Sequence, residues 1–153
     1  VGLDWALPAS YENLKQNQTL ITVAFWSSKI GLLRYFPESF YIKNSTLTEN
    51  ERKQYKLLAY KQLMSQAMLN ESRLVKENAK KVPSSINLKI PTLLLVSNGQ
   101  GTSFGQSEWQ HFAEKFASEQ SNVKVIYMDV PHDLYHYQNH EVVSRIEDFL
   151  KSS

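Results

Sequence analysis

The run Ile90-Pro91-Thr92-Leu93-Leu94-Leu95-Val96-Ser97-Asn98-Gly99 decides the fold class. Its apolar core is short, nearly continuous, and bounded by Pro91 on one side and Asn98-Gly99 on the other. A strand with one wet face alternates apolar and polar residues, whereas a strand covered on both faces, as in a parallel sheet, has no such need. The segment is therefore predicted to be a buried parallel strand ending near Ser97. Downstream, Ser107 and Gln110 have the spacing of a capping box, and Trp109, Phe112, Ala113, Phe116 and Ala117 recur on one helical face. Val123 to Met128 is a second short strand. Val142, Val143, Ile146, Phe149 and Leu150 mark a last helix, with Asn139 as its expected N-cap. Strand, helix, strand, helix at these spacings is a βαβ unit with a closing helix, so the fold class is α/β, with parallel strands and flanking helices.

Upstream of this unit the pattern is helical. Pro8-Ala9-Ser10 turns into a short polar helix over Tyr11 to Gln16, and Thr19 to Phe36 forms a longer one through Leu20, Val23, Ala24, Ile30, Leu33 and Phe36. Gly31 weakens that helix and Pro37 ends it. Thr48 and Glu51 form another capping box, opening a helix whose Tyr55, Leu58, Ala59, Leu63, Ala67 and Met68 are expected to bury mainly one face. It continues through Leu74 and Val75 after a break near Asn70, and the polar run Asn78 to Ser85 closes it. The chain thus divides into a stub of strand and exit loop (1–9), a helical segment (10–82) and the α/β unit (83–153).

Val1-Gly2-Leu3-Asp4 is apolar, without an initiator Met or the layout of a signal peptide, and reads as the end of a buried strand begun further upstream. Two strands are too few to cover this much helix, so further strands are expected from a missing N-terminal half. Without that half the chain is expected to expose apolar surface and self-associate.

Composition excludes several classes. Of 153 residues 42% are hydrophobic and 12% aromatic, which is the balance of a folded chain rather than a disordered one. The net charge of +2 is spread out, so no nucleic-acid partner is expected. With no cysteine there is no disulfide, no thiolate nucleophile and no Cys-ligated metal. The longest apolar runs fall short of the ~18 residues of a membrane span, so a soluble chain is expected, and the compartment stays open between cytoplasm and cell surface.

Chemistry collects at the carboxyl ends of strands in such sheets, and Val125-Ile126-Tyr127-Met128-Asp129-Val130-Pro131-His132 places a histidine there. This strand, the histidine loop and the helix with Glu141, Val142, Ile146, Phe149 and Leu150 resemble the last strand, catalytic-histidine loop and final helix of an α/β-hydrolase. Ile90 to Gly99 resembles the penultimate strand, and Val1 to Pro8 the strand before it. Residues 10–81 fall where this superfamily inserts a lid. The resemblance spans the whole chain; Pro131 stands where the family usually has Gly.

It implies a partial α/β-hydrolase fold, with His132 as catalytic base. Acting on an ester, thioester or amide, it would take a small-molecule acyl substrate in the full-length protein, with no cofactor and no metal. The family's acid usually follows the penultimate strand, but Ser97 to Gln106 holds no carboxylate. Some members carry the acid one strand earlier, which points to Asp4; Asn98 or Gln100 would be neutral substitutes. Gly101-Thr102-Ser103-Phe104-Gly105 matches the nucleophile motif, yet it stands four residues beyond the strand and in the wrong place in the family's order. The nucleophile and oxyanion donors are therefore expected upstream of Val1, leaving the chain inactive alone. Two other readings stand beside this one. His132, His136 and His140 are spaced four apart like ligands on one helix, although Pro131 and the late helix start argue against a shared face. Alternatively the chain is a non-catalytic protein- or lipid-binding module.

Overall fold

The computed structural model describes residues 1–35, 48–62, 64–82 and 88–152. It is mixed α/β, with a three-stranded parallel sheet flanked by helices. Chain contacts divide it into one unit of Val1–Lys15 with Lys76–Ser153, and a second of Gln16–Val75.

The first unit is built on the sheet, in the order β1 (Gly2–Leu3), β2 (Thr92–Val96), β3 (Val123–Tyr127). Gly2 pairs with Leu94 across β1 and β2, and Leu94 with Val125 across β2 and β3. All five β2 residues are buried, as a strand covered on both faces requires. Leu94 and Val96 point to α5 (Gln106–Ser118), meeting Trp109, Phe112 and Ala113, with Phe116, Val123 and Val125 packed around them. Leu93 and Leu95 point the other way, to Met128, Val130, Leu134 and Val142. Leu134 opens a four-residue α6 (Leu134–Tyr137), and Val142 lies on α7 (Asn139–Ser152). On the α5 side, α1 (Pro8–Asn13) also packs, with Pro8 at its first position, where a missing N–H costs nothing.

Two local expectations fail here. Ser107 and Gln110 form no capping box, because Gly105 is extended (φ −73°, ψ 160°) and starts α5 two residues early. Gln110 instead donates to the Ser97 carbonyl (3.2 Å). The last helix begins at Asn139 itself, so the cap position falls one residue earlier, on Gln138, whose carbonyl accepts the Val142 N–H (3.0 Å).

The second unit holds α2 (Gln18–Lys29), a 3₁₀ turn (Leu32–Tyr35), α3 (Glu49–Gln62) and most of α4 (Gln66–Lys81). The helix expected to run to Phe36 stops at Lys29; Gly31 takes φ 77° and its N–H bonds the Ser28 carbonyl (3.1 Å), a left-handed ending that glycine adopts freely. Phe36 and Pro37 lie outside the described residues. The Thr48 box forms: Thr48 N–H reaches Glu51 Oε2 at 2.7 Å, and Glu51 N–H reaches Thr48 Oγ1 at 3.4 Å. The next break comes at Met64 (φ 54°), not near Asn70. Ser65 Oγ caps α4 by accepting from Met68 N–H (3.2 Å), while Asn70 sits inside that helix and accepts from Gln66 Nε2 (3.0 Å). The expected buried face is not buried either, for Tyr55, Leu58, Ala67 and Met68 are exposed. Leu63 lies outside the described residues, and so does the side chain of Ala59. Among the described residues no helix is long and apolar enough to cross a membrane.

Candidate active site

The site forms where the exits of β1, β2 and β3 converge. Beyond β2 and β3 the two chains stay tied: Met128 N–H to the Val96 carbonyl (2.8 Å), Asn98 N–H to Val130 (3.0 Å) and His132 N–H to Gln100 (2.8 Å). Gly99 and Gly101 (φ 78° and 96°) let the β2 exit loop turn tightly enough to make the last of these bonds. His132 is thereby fixed through its backbone, five residues past the end of β3.

Asp4 arrives from the other side. Its N–H extends the β1–β2 pairing to the Leu95 carbonyl (2.7 Å), and its φ of 52° swings the side chain off the strand line. The carboxylate is buried, and His132 Nδ1 lies 2.5 Å from Oδ2. Oδ1 accepts the Ser97 N–H (2.7 Å) and the Trp109 indole N–H (2.9 Å). A buried charge is tolerable only when donors replace lost water, and three do so here. Burial pushes the Asp4 carboxyl upward, but the bonds from His132, Ser97 and Trp109 outweigh it and hold the group below its ordinary 3.8. For His132 the bond to Asp4 dominates; against burial, and helped by the charges of Asp4 and Asp133, it raises the imidazole above its ordinary 6.5.

An imidazole that donates Nδ1–H to a carboxylate carries its lone pair at Nε2. That ring is 40% exposed, and Nε2 has no hydrogen-bond partner among the described residues. The arrangement can therefore accept a proton at Nε2 and stabilise the resulting imidazolium through Asp4.

The structure brings Asp4 and His132 together across 128 residues of chain. It does not bring the neutral substitutes to the ring. Asn98 donates to Asp129 Oδ1 (3.0 Å) and accepts from the Gln100 N–H (3.0 Å), while Gln100 meets His132 through backbone alone. Ser103 is exposed and forms no hydrogen bond with His132. Nor does it have the strained backbone of a nucleophile elbow, since positive φ among described non-glycine residues occurs only at Asp4 and Met64. His136 lies on α6 and His140 on α7, with His132 before both, so the three occupy separate elements. Among the described residues no three His, Asp or Glu side chains gather to hold a metal.

Trp109 and Ser97 were missed as site residues. Trp109 reads in sequence as one more aromatic on a buried helical face; its one distinguishing signal is that a buried indole N–H needs an acceptor. No family model, curated protein or solved structure matches the chain significantly.

Proposed function

We propose that this chain is the C-terminal part of an α/β-hydrolase acting on an ester, thioester or amide, with Asp4 and His132 as its acid and base. The carrying observation is the contact itself: a buried carboxylate at 2.5 Å from Nδ1, with no partner at Nε2 among the described residues, at the carboxyl ends of parallel strands. In this reading His132 takes the proton of a serine hydroxyl as that oxygen attacks the acyl carbon, then returns it to the leaving group. Asp4 holds the tautomer and balances the imidazolium. The nucleophile and the oxyanion donors come from sequence outside these 153 residues, and the helical segment serves as lid.

The test compares the 153-residue chain with the full gene product on an activated aryl ester. The chain alone should match the buffer rate, and the full product should turn over. His132→Ala in the full product should lower kcat by on the order of 10⁴-fold or more. Full activity after that substitution, or activity of the short chain that Ser103→Ala abolishes, would overturn the reading.

One observation favours the binding-module reading. On α2 and its C-cap the apolar side chains of Leu20, Val23, Trp26 and Ile30 recur every three to four residues, as one helical face does, and all are exposed. A full-length product inert on acyl esters, together with Trp26 emission that shifts on addition of lipid vesicles, would replace the hydrolase reading by this one.

A further inference from the structure

We propose that Trp109 is a positioning residue for the Asp4–His132 pair, fixing the carboxylate with its indole N–H and backing the imidazole with its ring. What the pair does rests on the hydrolase reading above; whether Trp109 holds it does not.

Trp109 sits in the first turn of α5, 5% exposed, and touches both members. Nε1 donates to Asp4 Oδ1 at 2.9 Å, and the indole meets the His132 ring edge to face, 5.6 Å between centroids at 89°. Ser97 N–H reaches the same Oδ1 from the end of β2. Two donors from different elements, strand and helix, pin the carboxylate in two directions and leave Oδ2 to His132. Rotation of either ring or carboxylate then breaks a buried hydrogen bond.

The surrounding chain builds a seat for this indole. Phe104 stacks on it at 5.9 Å and 22°. Gly99 packs so closely that a Cβ there would lie 2.9 Å from the Trp109 Cβ. Core filling alone needs neither an indole N–H aimed at a carboxylate nor a ring set square to the histidine.

The ionisable groups that bear on the pair are few: Asp4 feels His132, and His132 feels Asp4 and Asp133. Nuclear magnetic resonance of the 153-residue chain can therefore read the pair directly, with the three indole signals assigned by Trp5→Phe and Trp26→Phe. The Trp109 N–H should follow the titration of the Asp4 carboxyl and exchange with solvent more slowly than the exposed Trp5 and Trp26 indoles. Trp109→Phe keeps an aromatic ring but removes the donor, so it should raise the Asp4 titration midpoint by roughly one pH unit and reduce the Nδ1–H tautomer of His132. Phe104→Leu loosens the packing and keeps the donor; it should leave the midpoint in place. The proposal is overturned if the Trp109 signal ignores the Asp4 titration or exchanges as fast as Trp5. An unmoved midpoint in Trp109→Phe, or an equal rise in Phe104→Leu, would also overturn it. Should Trp109→Phe fail to fold, the wild-type titration and exchange decide alone. An inert full-length product with these signals intact would remove the hydrolase reading and leave Trp109's role standing.

Discussion

Asp4 combines a left-handed backbone with a 4% exposed charge, two features that each cost stability and are both tolerated here because of its hydrogen bonds. The signs of the two shifts fix a pH window. A raised His132 adds stability below its ordinary 6.5, and loses it as pH climbs through the folded value. A depressed Asp4 adds stability above 3.8, and loses it as pH falls through its folded value. Both contributions therefore coexist between these limits. The stability gap between wild type and His132→Ala should be wide near about pH 5 and narrower near about pH 9, as read by urea unfolding. A gap that widened at the higher pH would contradict the pairing. Asp4→Asn tests the same contact differently. Its oxygen can still accept from Ser97 and Trp109, which leaves an amide NH₂ facing His132. Donor against donor forces the ring proton to Nε2, so nitrogen chemical shifts should report the opposite tautomer. Persistence of Nδ1–H would show that the amide has flipped and that Ser97 and Trp109 do not hold the Oδ1 position firmly.

Among elements, β2 carries most of the sheet unit, sending Leu93 and Leu95 to one core cluster and Leu94 and Val96 to the other. Leu95→Ala should cost about 2–5 kcal/mol of unfolding free energy. Leu58→Ala on α3, whose side chain is exposed, should stay within about 0.5 kcal/mol. Near-equal costs in denaturant melts would mean that α3 is covered in solution. Gly99→Ala should also destabilise, through both its φ of 78° and its 2.9 Å approach to Trp109. These elements differ in how plainly their residues announce them. Leu93 to Val96 is unmistakable because burial on both faces leaves it no polar residue, and the Thr48 box is legible because its two bonds are local. The Ser107 box matches in letters and fails in space, since Gly105 takes the extended conformation first. Met64 carries no turn signal at all; its positive φ is rare for such a side chain. The Asp4–His132 contact is non-local, and no local pattern could encode it. Family resemblance alone pointed to it, and Trp109 escaped because helical periodicity cannot tell a packed indole from a donating one.

For the whole molecule the sheet edges and the α2 face matter most. β1 ends the described sheet with two residues, and Leu3 and Trp5 beside that edge are exposed. Unpaired N–H and C=O groups next to apolar side chains form a template for another strand. The exposed row on α2 is a second adhesive surface, independent of the first. A net charge of +2 offers little repulsion between copies. The isolated chain should therefore self-associate, with a light-scattering mass that rises with concentration. The two surfaces can be told apart by placing a charge on each. Leu3→Lys should reduce association if copies add strand to strand at β1, and Trp26→Glu if they meet through α2. Lysine is the more informative choice at β1, since it can keep strand geometry while its charge disfavours edge pairing. A monomer at every concentration, with no binding of a hydrophobic dye, would mean that the apolar residues exposed in each unit are covered in solution. Neither the β1 edge nor α2 would then be a free surface.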